Sequence, residues 1–216
     1  MINQMKIIEN FLDEEDLNNL KSLKLNSVPS KEIKVYHNQI DKNNVVTRSC
    51  VDVNLIKKLH EKYHDKALNI LKTLSPEKAK IYDYSDFEII ETGKDYKFPI
   101  HDDTPNKLLS GVIYLYPKKN VGTIFYKNKY GDNKKEIEWK ENRGVFFSRI
   151  ERESWHSFRG DGNSNRVALV YNLNTLKIRE VYNIEKKNYY IGMLRWKINP
   201  YLLRFFKTTI KLNKSE

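Results

Sequence analysis

The sequence predicts a mainly β protein with flanking helices, its strands arranged as a sandwich or barrel. Three observations lead there. From Lys80 to about residue 175 short apolar runs with a period of two alternate with turn signals. Before Lys80 two stretches instead repeat their apolar residues at helical spacing. The composition, 39% hydrophobic, 31% charged and 12% aromatic, is that of a globular chain, and 216 residues are enough for one domain with a sizeable core. The organisation expected is a single domain over 1–183, with a helical and hairpin part at 1–79 and a β core at about 80–175. Residues 184–216 follow as a basic amphipathic extension.

Each element has a local reason. Met5 to Phe11 reads as a short strand. Asp13 is placed to cap a helix from Glu14 to Leu25, with Asp16 at the third helical position as a carboxylate variant of the capping box. Leu17, Leu20 and Leu23 give that helix a packing face. Glu32 to His37 and Val45 to Cys50 form a hairpin about the polar Asp41-Lys42-Asn43-Asn44 turn. Ile56, Leu59, Tyr63, Ala67, Ile70, Leu71 and Leu74 mark a long amphipathic helix over Asp52 to Leu74, stopped by Ser75-Pro76. The β region divides into Ile81–Thr92, Tyr96–His101, Leu108–Tyr116, Gly122–Lys127, Glu136–Lys140, Gly144–Arg149, Trp155–Phe158 and Arg166–Leu173, with Tyr130-Gly131-Asp132-Asn133 as a hairpin turn. Asn199-Pro200 suits a helix start. Beyond it Leu202, Phe205, Phe206 and Ile210 fall on one face, and Arg204, Lys207, Lys211 and Lys214 on the other.

One stretch carries chemistry. On an extended backbone His101 and Asp103 share a face while Asp102 points away, so His101-Asp102-Asp103 offers an imidazole and a carboxylate to one point in space. That is two thirds of the facial triad that holds non-haem Fe(II). His156, the only later histidine, supplies the third ligand. Arg166 opens the next strand on the same face as Ala168 and Val170, with Val167, Leu169 and Tyr171 opposite. A guanidinium facing inward calls for an anionic partner, and a ligand carboxylate would provide one.

These residues carry a resemblance. His101-Asp102-Asp103, the strand Lys107-Leu108-Leu109-Ser110-Gly111-Val112-Ile113-Tyr114-Leu115, Gly122-Thr123, and Trp155-His156 followed by Arg166 resemble the iron(II)/2-oxoglutarate-dependent oxygenases of the prolyl-4-hydroxylase-like branch. The resemblance is close over residues 80–175 and looser before them. It implies a double-stranded β-helix of jelly-roll, cupin-like type, with the N-terminal helices packed on it. It further implies that His101, Asp103 and His156 bind Fe(II), that Arg166 pairs with the distal carboxylate of 2-oxoglutarate, and that Tyr114 touches the same carboxylate. Such an enzyme couples oxidative decarboxylation of 2-oxoglutarate by O2, giving succinate and CO2, to hydroxylation of a C–H bond, with ascorbate as a reductant. Relatives often have a tyrosine where this chain has Glu91.

Other readings compete. A jelly roll that has lost activity and only binds would keep the same strands. His60-Glu61-Lys62-Tyr63-His64 fits the H-E-x-x-H pattern of a zinc protease on a predicted helix, but Lys57, Lys58, Lys62, Asp65 and Lys66 crowd it, so these histidines are expected to flank a packing face beside solvent. The net charge of +11 invites nucleic acid or an anionic membrane, yet lysine is spread over the chain with no stripe before the C-terminus. Nucleic acid is therefore not expected as the main partner, and the C-terminal helix is expected to pack on the barrel or a second subunit rather than on a membrane. Arg149, Arg152 and Arg159 flank His156 and suit an anionic substrate, whether small molecule, saccharide or protein side chain. Trp155 and Phe158 are assigned to the core, and Cys50 to a small buried role. One cysteine, no long apolar run and no signal-peptide pattern predict a soluble cytoplasmic protein.

Overall fold

A computed structural model describes residues 5–23, 25, 27–205 and 210–212, those beyond 197 by their backbone alone. After strand β1 (Met5–Ile8), the Asp13 carboxylate accepts from Asp16 N at 2.9 Å and starts α1 (Glu14–Lys21), which stops four residues short of the expected Leu25. The hairpin is β2 (Ile33–Asp41) with β3 (Val46–Arg48), and the Asp41 carboxylate accepts from Asn43 N and Val45 N across the turn. Asp52 caps α2 (Val53–Leu74), and Ser75-Pro76 ends it by starting the short α3 (Pro76–Ala79). That short helix delays the next strand, so β4 spans Tyr84–Thr92 rather than starting at Ile81.

The strands that follow are β5 (Lys107–Tyr116), β6 (Ile124–Phe125), β7 (Lys135–Glu136), β8 (Gly144–Phe147), β9 (His156–Ser157) and β10 (Arg166–Asn174). Two corrections arise here. Tyr96–His101 is not a strand: it makes only isolated bridges, Lys97 with Arg159 and His101 with His156, because Pro99 has no N–H to give a ladder. The expected Glu136–Lys140 strand is reduced to β7, and Ile137 and Trp139 turn their side chains into the core instead.

Among the described residues the larger sheet runs β1-β8-β5-β10-β4-β2-β11, with β3 beside β2, and a smaller sheet runs β7-β6-β9. Strand β11 (Ile210–Leu212) pairs parallel with β2. The larger sheet has two working faces. Leu169, Tyr171 and Leu173 of β10, Leu109, Ile113 and Leu115 of β5, and Phe87 and Ile89 of β4 meet Ile56, Leu59, Tyr63 and Ile70 of α2 in the main core. Alternate positions point the other way, as a period of two requires, where Tyr114, Val145, Phe147 and Ala168 meet Phe125, Ile137 and Trp139 in a second cluster between the sheets. Arg166 belongs to this inner set.

Helix α4 (Ile178–Ile184) is latched to the core by charge. Glu185 accepts from both Lys78 (2.7 Å) and Arg149 (2.9 Å), all three side chains being almost wholly buried, and Arg149 Nε donates to the Asp103 carbonyl at 3.0 Å. Arg149 is thus committed inside and is not a mouth residue, contrary to expectation; Arg152 and Arg159 are exposed. Helix α5 (Tyr189–Phe205) begins well before Asn199-Pro200, because Asn188 Oδ1 accepts from Ile191 N at 3.0 Å and caps it there. Ile210, expected on that helix, lies in β11. The two faces predicted from Leu202 to Lys214 lie outside the described side chains. No helix among the described residues is long and apolar enough to cross a membrane.

Candidate metal and cosubstrate site

His101 and His156 are brought together by the backbone. Each N–H donates to the other's carbonyl, at 3.0 and 2.9 Å, fastening the 96–103 segment onto β9 and setting the two ring centres 4.2 Å apart. Each Nδ1 lies against a backbone carbonyl, His101 with Pro99 at 3.1 Å and His156 with Ser154 at 2.8 Å. A carbonyl only accepts, so Nδ1 carries a proton in both rings and Nε2 is the nitrogen left to face a metal. Burial, with His156 alongside, pushes His101 down to about 3, so its ring stays neutral. This is how a metal-binding imidazole is oriented.

Asp103 completes the group. One ligand atom from each of His101, Asp103 and His156 lies within 4.8 Å of the others, and His156 Nε2 is 4.0 Å from Asp103 Oδ2. Burial opposes the charge on Asp103, but the Lys107 cation beside it and the Ser110 hydroxyl favour the ionised form, and the carboxyl is held far below its usual range. Lys107 Nζ donates to Oδ1 at 3.0 Å and Ser110 Oγ to Oδ2 at 2.6 Å. Asp102 turns away, as the alternation required, and accepts from Arg152 N and Ser154 Oγ. Two imidazoles and one ionised carboxylate form a donor set that suits Fe(II). Since Ser110 fixes the carboxylate, Ser110→Ala is expected to weaken Fe(II) binding about 10- to 100-fold, read by competition with a chromogenic chelator.

Arg166 stands on the inner face, 3% exposed. Its Nη1 donates to the carbonyls of Val121 (2.7 Å) and Arg159 (3.2 Å), its Nε has no partner, and among the described residues no carboxylate pairs with it. Burial without a counter-ion lowers its pKa to about 10. The guanidinium carbon is 4.6 Å from the Trp139 ring centre and 5.2 Å from that of Phe158. An uncompensated buried cation with an orphaned N–H fits a ligand carboxylate.

Tyr114 reaches this pocket by stacking on Trp139 (4.2 Å), but its hydroxyl is engaged: it donates to Thr123 Oγ1 and accepts from Thr123 N. Gly122 makes that approach feasible, since a Cβ there would collide with the Ile137 carbonyl. Glu91 leaves the pocket altogether and accepts from Val28 N at 3.2 Å on the other face of β4. Phe158, assigned to the core from sequence, instead stacks on Phe98 at 4.9 Å, and Phe98 meets the edge of His101 at 4.5 Å. These rings form an apolar wall running from Arg166 to the metal ligands. Trp155 belongs to neither core cluster and is half-buried, its Nε1 bonded to the Arg152 carbonyl. Sequence reasoning missed Trp139, Ser110 and Phe98. Only Ser110 left a usable signal, lying on the inner face of the strand that follows the Asp103 loop.

The fold has counterparts among solved structures. A 2OG-Fe(II) oxygenase-family oxidoreductase from Burkholderia pseudomallei is 16% identical, with a TM-score of 0.56 over 79% of this chain and 84% of that one. The chain has the fold of the 2OG-Fe(II) oxygenases. A Pseudomonas putida prolyl-4-hydroxylase is similar at 12% identity and TM-score 0.53, covering 80% of this chain and 92% of that one. A Trichoplax adhaerens prolyl hydroxylase, solved with a hypoxia inducible factor oxygen degradation domain peptide, is 18% identical with a TM-score of 0.52 over 82% and 86%. No protein-family model and no curated protein matches the chain.

The competing H-E-x-x-H histidines lie elsewhere, on α2. Their rings stack 4.6 Å apart, Glu61 accepts from Asn44, and among the described residues no third metal-binding side chain joins them. His60 is only 6% exposed, not beside solvent, and burial with His64 alongside lowers its pKa to about 4. As pH falls below 6.5 the unfolded chain takes up this proton first, so stability is lost between pH 6.5 and 4. His60 is expected to contribute about 2–3 kcal/mol of that loss. In thermal melts across this window His60→Phe should show a correspondingly shallower acid slope.

The second grouping of metal-type ligands among the described residues is His37, Asp86 and Glu88, on the inner face of β2 and β4.

Proposed function

We propose that this chain is an Fe(II)/2-oxoglutarate-dependent oxygenase that hydroxylates a C–H bond of its substrate. The observation that carries the reading is the pairing of two features on one inner surface. One is a His101-Asp103-His156 cluster with both Nδ1 protons already committed; the other is a buried Arg166 lacking an acid. The shared fold supports it. Iron, 2-oxoglutarate and O2, when bound, supply the oxidising power, with 2-oxoglutarate leaving as succinate and CO2 while one oxygen atom enters the substrate.

The chain's own residues supply position and shelter. His101, Asp103 and His156 would hold the metal from one side, and Ser110 and Lys107 keep the Asp103 carboxylate turned to it. Arg166 would grip the distal carboxylate of 2-oxoglutarate. Tyr114 can add a second contact there only by releasing Thr123. Phe98, Phe158, Phe125 and Phe147 surround the imidazoles with apolar surface and keep water from the reacting centre. Ascorbate would serve as an external reductant keeping the iron ferrous, and a chain with one half-buried cysteine, Cys50, suits a reducing cytoplasm.

The test is anaerobic addition of Fe(II) and then 2-oxoglutarate, followed by visible absorption. A metal-to-ligand charge-transfer band is expected in the wild type and should vanish in a His101→Ala, Asp103→Ala variant that still folds. A folded wild type without the band, or a band that survives the double substitution, refutes the proposal.

A further inference from the structure

The inner face carries a second polar constellation beside the metal ligands, which neither metal nor cosubstrate binding uses. In β4, Phe87 and Ile89 pack in the main core, so Asp86 and Glu88 point to the opposite side, with His37 opposite Glu88 on β2. On β10 the same alternation puts Asn172 on this face, paired in register with Asp86 on one side and with Ser110, the residue that holds Asp103, on the other.

The charges here are nearly all accounted for. Asp86 accepts from His37 Nε2 (3.0 Å), Gln39 Nε2 (3.0 Å) and Asn174 Nδ2 (2.8 Å). Arg48 donates to His37 Nδ1 at 3.2 Å, and Lys107 is spent on Asp103. Two groups are left over. Glu88 accepts no hydrogen bond and makes no ion pair among the described residues, although its carboxylate lies within 4.8 Å of the Asp86 and His37 ligand atoms and within electrostatic reach of Asp103 and Lys107. Asn172 is 0% exposed, and neither its Oδ1 nor its Nδ2 has a partner. A buried amide with both ends unmet is rare, and on the same face as an unpaired carboxylate, two residues along the β4–β10 ladder, it marks a place where a ligand group is missing.

We propose that Glu88 and Asn172 form the recognition site for the substrate, and that the group they take is a protonated amine or guanidinium. The inference rests on the oxygenase reading and deepens it. The charge left without a donor in this recess is negative, so the complement is a cation carrying N–H donors. The Asn172 amide then accepts from the same group or donates to its neighbour. Burial pushes the Glu88 carboxyl upward, and a bound cation would restore its ionised form. With the cation held here, the carbon chain behind it extends along the inner face toward His101 and His156, where a C–H bond would be presented. The anionic substrate suggested by Arg149, Arg152 and Arg159 is the opposite choice, and Arg149 is already neutralised by Glu185.

The test is calorimetric titration of the Mn(II)- and 2-oxoglutarate-loaded protein with lysine, arginine and their N-acetyl amides, against norleucine and citrulline as uncharged counterparts. At least one cation is expected to bind ten-fold or more tightly than its counterpart in the wild type. Glu88→Gln should bring that ratio close to one, and Asn172→Ala should weaken the cation several-fold. Equal binding of cation and counterpart, no binding of any cation, or a preference that persists in Glu88→Gln overturns the inference. Full retention in Glu88→Gln with neutral ligands preferred would assign Glu88 as a protonated donor and likewise overturn it. The anaerobic charge-transfer band reports independently on metal and cosubstrate binding, so its loss in the wild type indicts the oxygenase reading instead.

Discussion

Arg166→Met is expected to raise the dissociation constant for 2-oxoglutarate by about two to three orders of magnitude while leaving Fe(II) binding nearly unchanged. The direction follows from what Arg166 lacks. Its Nη1 is satisfied by two carbonyls, its Nε is orphaned, and no acid neutralises it, so a bound carboxylate gains a charge-assisted fork in a dry setting. Methionine keeps much of the stem that packs near Trp139 and Phe158 and removes a costly buried charge. The apo variant should therefore melt no lower than the wild type, which separates a lost ligand contact from a damaged fold. Arg166→Lys should recover only part of the affinity, since an ammonium cannot span both carboxylate oxygens. Anaerobic titration of 2-oxoglutarate into the Fe(II) protein measures the wild type and both variants.

Glu185→Leu is expected to cost about 3–5 kcal/mol, because it strands Lys78 and Arg149 in the interior with no anion between them. The melting temperature should fall by roughly 10 °C. The effect should not stop at stability. Arg149 also donates to the Asp103 carbonyl, so loosening it disturbs the loop that aims the metal ligand. Fe(II) affinity should drop with stability, whereas a Leu59→Ala substitution in the main core should lower stability and spare the metal.

The elements legible in the sequence were those whose signal is local. Asp13 caps the helix it was expected to cap, and α2 runs to Leu74 as its apolar stripe demanded. The alternation in β10 correctly separated Arg166 from Leu169 and Tyr171, and the same rule chose Asp103 over Asp102. What failed depended on contacts distant in the chain. The 96–101 segment has strand-like composition but only two bridging partners, and which backbone it meets is decided by His156, far along the chain. Arg149 looked like a mouth residue because Glu185 lies 36 positions away. Phe158 reads as core by composition, and only the position of Phe98 and Arg166 makes it a wall of the pocket.

Strand β10 sets its odd positions against the helices and its even positions, Arg166 and Asn172 among them, toward the chemistry. Stability and specificity are thereby written in alternate letters of one nine-residue word. Substitution at Arg166 or Asn172 can retune what the protein recognises while leaving the core contacts of the odd letters in place. A single inserted or deleted residue would exchange the two sets at once, so a length change in this segment should cost more than any one point change.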